Sequence, residues 1–239
     1  MAKKKVSRKE LLREPDRILT ASSRLLAWVL AHRIQVIAAV AAVLLLVGGI
    51  SGARYVSARN EGNAFSLYQQ GMDAYETERE KSGDTKAAFE KAGGVFSGLF
   101  EEYKGCSAVT VGKLAYAKMA YEAGDFETAV RLYREILPEA GDDPVRQEMV
   151  LSGLGYASAG AGRIRDAIQY FEQVSAAPHL LLTADALYQL ACLYETEGDA
   201  EKSLAMKQRL VDEFDDYPLT VLIRDAVAAQ KSGETTESG

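Results

Sequence analysis

The chain has 239 residues, of which 48% are hydrophobic and 26% charged, so it can bury a core and is not disordered throughout. Two cysteines are too few for a disulfide framework, and two histidines leave little for a zinc site. The net charge of −6 argues against a general nucleic-acid binder.

The charges are distributed unevenly, and residues 1–33 are predicted to form a basic cytoplasmic head. They contain nine Lys or Arg residues and three acids, a net charge of +6. Within them, pairs of large aliphatic residues recur every seven positions, at Leu11/Leu12, Ile18/Leu19 and Leu25/Leu26. This spacing predicts an amphipathic helix that lies on the cytoplasmic leaflet with its arginines near the lipid phosphates.

Residues 34–53, IQVIAAVAAVLLLVGGISGA, contain no charge and are predicted to cross a lipid bilayer. As a helix, these twenty residues are about 30 Å long, which matches the hydrocarbon thickness of a bilayer. Basic residues precede the span, so the N-terminus is expected in the cytoplasm and the remainder outside. In a bacterium this is a single-pass inner-membrane protein with a periplasmic C-terminal domain.

Two features of this span leave alternatives open. Ser51-Gly52-Ala53 resembles a signal-peptide cleavage site, but the apolar run exceeds the ~7–15 residues of a signal core, which favours an uncleaved anchor. Gly48 and Gly52 form a small-xxx-small pair, a pattern that lets a second membrane helix pack closely. Alternatively, the pair has no specific partner helix, because small residues are common in membrane spans.

After a predicted linker at residues 54–62, residues 63–231 repeat one pattern and are predicted to be a helical solenoid. A turn glycine is preceded seven residues earlier by a small residue and followed five residues later by another. The three columns are Ala117, Gly155 and Ala191; Gly124, Gly162 and Gly198; and Ala129, Ala167 and Ser203. Glycine stops the first helix, and the small residues allow the second helix to pack against it. Prolines 138, 178 and 218 end the units.

This pattern resembles the tetratricopeptide repeat, most closely in LAYAKMAYEAGDFETAVRLY, which begins at Leu114. A weaker unit precedes it, with a second helix from Thr85 to Tyr103, and the last unit has Lys207 where the family has an aromatic residue. The resemblance implies an all-α fold of about four helical hairpins. A capping helix is expected after Pro218, with Leu219, Leu222, Ala226 and Val227 on its covering face. Residues 232–239 are predicted to be a disordered tail.

Counting back from each turn glycine identifies the face of the first helices that is expected to line a binding groove. Positions ten, six and three before the glycine contain the candidate partner-binding residues Leu114, Lys118, Tyr121, Ser152, Tyr156, Tyr188, Cys192 and Glu195. The three tyrosines predict an aromatic strip suited to protein contacts. Alternatively, they pack between neighbouring helices.

No catalytic or cofactor motif is recognised in the sequence. Gly112-Lys113 lacks the glycine spacing and the hydroxyl residue of a phosphate-binding loop. His32 and His179 have no ligand-type neighbour in sequence, so no metal is expected. Cys106 and Cys192 are expected to be free thiols. The protein is therefore predicted not to be an enzyme and to have no cofactor or small-molecule substrate, although an enzyme with a composite cleft stays as a minor alternative.

The layout of a basic head, one span and acidic repeats is similar to that of tetratricopeptide proteins ancillary to the bacterial Sec translocon. That resemblance implies an interaction scaffold for protein export, with translocon subunits, exported chains or periplasmic chaperones as partners, besides the lipid bilayer. The alternative is a scaffold for another envelope machine, in outer-membrane biogenesis or cell division. No nucleic-acid partner is expected.

Overall fold

The computed structural model describes residues 17–176, 182–225 and 227–228, and all regular structure in this part of the chain is helical, as predicted. The helices are, in chain order, α1 (Arg17–Ala31), α2 (Arg33–Ser82), α3 (Thr85–Glu102), α4 (Ser107–Glu122), α5 (Phe126–Ile136), α6 (Pro144–Gly160), α7 (Ile164–Ala176), α8 (Thr183–Glu197) and α9 (Ala200–Glu213). A 3-10 turn (Leu137–Ala140) follows α5, and residues 220–225 are helical again. Pro178, His179 and the predicted tail at residues 232–239 lie outside the described residues.

The chain divides into two compact units, residues 1–59 and residues 60–239. In the first unit, α1 contains residues 17–31 of the predicted amphipathic head. At its end the Trp28 and His32 rings stack with their centroids 4.9 Å apart. The predicted span, residues 34–53, lies in α2. None of the 18 residues that form the most apolar stretch of α2 is buried. By length and composition, α2 can cross a membrane.

The predicted linker, residues 54–62, is helical, since it lies inside α2. It contains no proline, and Gly62 is its only glycine, so nothing in its sequence stops the helix. The last part of α2 then serves as the first helix of the first hairpin, where Ala64, Gly71 and Tyr75 are buried. Its partner in that hairpin is α3.

The predicted turn glycines have the left-handed backbone that ends a helix. Their φ angles are 79°, 72° and 82° for Gly124, Gly162 and Gly198. Glycine adopts this conformation without the steric cost that a side chain brings. The hairpin boundaries therefore fall where the sequence pattern places them.

Aspartates following two of these glycines start the second helices. Asp125 Oδ1 accepts a hydrogen bond from the Thr128 N–H, and Asp199 Oδ1 accepts one from the Lys202 N–H, both at 3.1 Å. Each bond satisfies a backbone donor that the first turn of a helix leaves without a partner. The third hairpin has Arg163 at this position, and its guanidinium pairs instead with a glutamate of α5.

Small residues of the first helices pack directly against aromatic rings of the second helices. A methyl group at Gly155 would lie 2.7 Å from the Phe171 ring, and one at Gly153 would lie 2.5 Å from the Tyr133 ring. Both aromatic residues are nine positions after a turn glycine. The core is thus formed between consecutive helices along the chain, as in other repeat proteins.

The segment after Pro218 covers the last hairpin, as predicted, and the predicted Leu219 and Val227 lie on its covering side, but Leu222 does not. Ile223 and Val227 are buried and Leu219 is partly buried, whereas Leu222 is 71% exposed. Ile223 and Val227 are four residues apart and share one side of a helix, and Leu222 points away from it. Ala226 lies outside the described residues.

Candidate partner-binding surface

The predicted binding residues lie on α4, α6 and α8, and we call the surface they form the first-helix face. Seven of the eight are at least partly exposed, namely Leu114, Lys118, Tyr121, Tyr156, Tyr188, Cys192 and Glu195. Ser152 is the exception, because its side chain is 4% exposed and its hydroxyl has no hydrogen-bond partner among the described residues. Ser152 therefore lies beneath the surface that a partner would contact.

Two of the three tyrosines of the predicted aromatic strip, Tyr121 and Tyr156, are in contact. The rings of Tyr121 and Tyr156 contact each other edge to face, with centroids 6.2 Å apart, and thereby join α4 to α6. The other side of Tyr156 packs against Phe171 of the core, at 5.2 Å. Among the described residues, no ring contact links Tyr188 to this pair. The aromatic feature of the first-helix face is therefore a pair anchored in the core.

Asp185, which the sequence analysis did not single out, connects three parts of the repeat region. It lies in the first turn of α8, and its carboxylate accepts hydrogen bonds from the Tyr156 hydroxyl of α6 and, at 3.3 Å, from the Tyr217 hydroxyl beyond α9. Burial and the neighbouring Asp185 carboxylate raise the pKa of Tyr217 to about 12 and raise the pKa of Tyr156 as well. Both tyrosines therefore remain protonated donors.

Charged groups on the first-helix face are paired. Lys118 lies 3.7 Å from Glu122, one turn later on α4. Glu195 accepts hydrogen bonds from Lys207 of α9 and from the Ser203 hydroxyl, and the bond from Lys207 lowers the pKa of Glu195. The pattern's missing aromatic residue at position 207 is thus replaced by an ion pair between the two helices of the hairpin.

The described residues contain no cluster of three or more His, Cys, Asp or Glu side chains that could hold a metal ion. Cys106 and Cys192 are free thiols. The thiol group of Cys192 is close enough to Tyr188 to raise the pKa of that phenol.

A groove of about 380 Å³ lies between the N-terminal halves of α4 and α6. Its walls are formed by Val111 of α4 and by Val145 and Met149 of α6, which are 46%, 42% and 47% exposed. Its floor contains Ile136 and Val150, which belong to the core. The groove is therefore a hollow lined by aliphatic side chains on a packed base.

The rim of the groove is polar. The Thr110 hydroxyl donates a hydrogen bond to the Glu139 carboxylate. Arg146 pairs with the Asp143 carboxylate at 3.3 Å and donates to the Glu139 carbonyl at 3.4 Å. No basic side chain of the described residues pairs with the Glu139 carboxylate, which is the only carboxylate on this rim without such a partner.

A fourth row of positions, thirteen residues before each turn glycine, would have identified Val111 and Met149 of this groove from the sequence. In the three hairpins that row contains Val111, Met149 and Asp185. The row continues the three that were counted, because successive steps of three or four residues follow one side of a helix. By contrast, two hollows around α5 and α7 are lined mainly by charged side chains, several of which form ion pairs such as Arg163–Glu127.

The chain was compared with known proteins. Residues 27–185 match the family of tetratricopeptide repeat-like domains. A crystal structure of nearly identical TPR-like repeats from a putative kinesin light chain of Podosopora anserina is similar, with a TM-score of 0.56 and 16% identity over 73% of this chain and 90% of that one. At this identity the likeness concerns the fold alone. No curated protein matches. Since the family match covers more than half of the sequence, the chain belongs to the tetratricopeptide repeat-like domain family.

Proposed function

We propose that the protein is a single-pass membrane protein whose repeat region binds other proteins on the exported side of a bacterial inner membrane. One observation carries the binding role. Five described large hydrophobic side chains within the hairpins are exposed. Four of them lie on the first helices α4 and α6, namely Val111, Tyr121, Val145 and Met149. Exposed apolar residues that cluster on one face mark an interaction site.

The anchoring role is supported by the charge and hydropathy of the first unit. The apolar part of α2 is unburied, and an uncharged run of this length would be costly to expose to water. Nine basic residues precede it, which favours a cytoplasmic N-terminus. The family match begins at residue 27, so it covers the apolar residues 34–53 together with the repeats.

Within this role, handling of newly exported chains at the translocon is the function we favour. A binding face that is tethered to the membrane from which exported chains emerge meets them before they fold. Such chains present apolar side chains, which the exposed aliphatic and tyrosine residues of α4 and α6 can contact. Partners in another envelope machine, such as one for outer-membrane assembly or division, are the competing outcome.

In-cell photocrosslinking tests the partner. A photoreactive amino acid replaces Tyr121, which is exposed and whose hydroxyl makes no hydrogen bond to the described residues, in the full-length protein. The control carries the same amino acid at Gln169, an exposed position of α7. Capture of translocon subunits or exported chains from position 121 but not from position 169 is expected. Capture of other envelope complexes alone would refute the export role and retain a scaffold function.

Thiol labelling tests the topology. In a variant with Cys106 and Cys192 replaced by serine, Lys91→Cys lies on an exposed position of α3, and Ser7→Cys lies in the basic head. A reagent that does not cross the inner membrane should label the cysteine at position 91 in intact spheroplasts, and the cysteine at position 7 only after lysis. The reverse pattern, or recovery of the protein from the soluble fraction, would refute the proposed anchoring.

A further inference from the structure

We infer that the groove between α4 and α6 binds an aliphatic side chain of a partner polypeptide that has a lysine or arginine next to it. This inference rests on the proposed protein-binding function and specifies the chemistry of one part of the first-helix face. Three features of the groove support this specificity, namely its aliphatic walls, a carboxylate without a basic partner among the described residues, and its occupied helix N-termini.

The walls provide the apolar contact. Single exposed hydrophobic residues are normal on a protein surface, but Val111, Val145 and Met149 border the same hollow. The floor beneath them is the packed core around Ile136, so an inserted side chain would meet a firm surface. A volume of about 380 Å³ falls within the range of about 300–1,000 Å³ that is typical of binding clefts.

The carboxylates on the rim determine the sign of the charge that fits beside the apolar side chain. Asp143 is neutralised by Arg146, whereas the Glu139 carboxylate accepts only from the Thr110 hydroxyl among the described residues. A carboxylate has capacity for several hydrogen bonds, so Glu139 can receive those of an incoming ammonium or guanidinium group. The region after the span is acidic as a whole, because residues 54–239 contain nineteen basic and thirty-one acidic residues, a net charge of −12, which also favours a basic partner.

An acidic partner is disfavoured because carboxylates already occupy both helix N-termini at the groove. Glu61 of α2 accepts hydrogen bonds from the N–H groups of Ser107 and Ala108, at 3.1 and 3.0 Å, at the start of α4. Asp143 does the same for the first turn of α6. These backbone donors are what an incoming anion would have used, and none of them is left for it.

Peptide binding by the full-length protein in phosphatidylcholine nanodiscs tests the inference. The probes are the fluorescein-labelled peptides Lys-Leu-Val-Leu-Lys, Glu-Leu-Val-Leu-Glu and Lys-Ser-Asn-Ser-Lys, with empty nanodiscs as blank and fluorescence anisotropy as readout. The basic aliphatic peptide should bind at least about fivefold more tightly than either of the others, since each of them lacks one of the two contacts.

Variants locate the site. Met149→Gln should weaken binding of the basic aliphatic peptide about fivefold, and Glu139→Gln about threefold, as expected for part of an apolar side chain and for one exposed ion pair. The control is Leu222→Gln, which makes a comparable change at an exposed residue far along the chain. It should leave the dissociation constant unchanged. Melting curves of all three variants should match that of the wild type.

The results separate this inference from the proposed function. Equal binding of the acidic and basic aliphatic peptides, or equal effects of Met149→Gln and Leu222→Gln, would overturn the inference. If no peptide binds while the crosslinker at position 121 still captures a protein, the groove inference is wrong and the scaffold function stands. If the peptides discriminate as expected while position 121 captures nothing, the groove inference stands and the proposed role in handling exported chains fails.

Discussion

Replacing Gly155 with alanine should destabilise the repeat region, although alanine is the better helix former. Gly155 is buried in α6, and an added methyl group would lie 2.7 Å from two atoms of the Phe171 ring. That ring is fully buried and also packs against Tyr156, so it has no free space into which to move. The methyl group must therefore force α6 and α7 apart or strain the Phe171 side chain.

The magnitude follows from two opposing contributions. Overpacking of a close-packed core costs about 1–3 kcal/mol. Alanine in a helix interior regains about 1 kcal/mol relative to glycine. The net change for Gly155→Ala is a loss of up to about 2 kcal/mol. For a region of this size, each kcal/mol corresponds to a shift in melting temperature of about 2–4 °C.

Gly94→Ala is the matched control, because Gly94 lies in the interior of α3 and a methyl group there meets nothing within 4 Å. It should gain the helix contribution alone and stabilise the protein by up to about 1 kcal/mol. Urea denaturation followed by far-UV circular dichroism, on the full-length protein in nanodiscs, measures both variants. A third variant, Gly155→Ala with Phe171→Leu, should recover part of the loss because the smaller side chain makes room.

Gly155→Ala should thus lower the free energy of unfolding, whereas Gly94→Ala should raise it. If Gly155→Ala were as stabilising as Gly94→Ala, the helices of the third hairpin would not be in close contact at this point. If the double variant were no more stable than the sum of its single changes predicts, the loss would not arise from the Phe171 ring. Either result would refute the packing argument on which the hairpin assignment depends.

Three further changes have expected outcomes in the same denaturation assay. Asp125→Ala removes the N-terminal cap of α5 and should cost about 1 kcal/mol. Tyr156→Phe removes a hydrogen bond to the Asp185 carboxylate and should cost about 1–2 kcal/mol, because a charged acceptor loses a donor. The hydrogen bond from Lys207 holds the pKa of Glu195 below its ordinary value of 4.5. The ionised Glu195 therefore stabilises the folded protein fully above that pH, and this stabilisation is lost as the pH falls through the lower pKa of the folded state. Glu195→Gln should abolish this part of the acid dependence, and since Glu195 is half exposed the change should stay below about 1 kcal/mol.

The hairpins were predictable from the sequence because their boundaries depend on local properties of the chain. A glycine with positive φ and an aspartate cap act within a few residues, and they recur at fixed distances around Gly124 and Gly198. The small residues were predictable for the same reason, since they repeat with the glycines. Residues 54–62, predicted as a linker, continue the helix because they contain no strong helix breaker.

The candidate site was less predictable because it depends on contacts between residues far apart in the sequence. Tyr217 reaches Asp185 across 32 residues, and Glu61 reaches Ser107 across 46. A repeat period contains no information about such pairs. Ser152 illustrates the other limitation, because counting from the turn glycine places it in an exposed row, yet α6 has helices packed on both sides and buries it.

At Val111 and Met149, the outward-facing residues of the first helices differ from the small residues that hold the hairpins together, which allows stability and recognition to vary independently there. The row thirteen positions before the turn glycine changes from Val111 to Met149 to Asp185 along the chain, while the small residue six positions later is buried in each of these three hairpins. Met149→Gln should therefore change the melting temperature by no more than an ordinary surface substitution, within about 0.5 kcal/mol. Gly155→Ala, six residues away on the same helix, should destabilise the protein. A large loss of stability in Met149→Gln would mean that the groove is part of the core and is not a site left open for a partner.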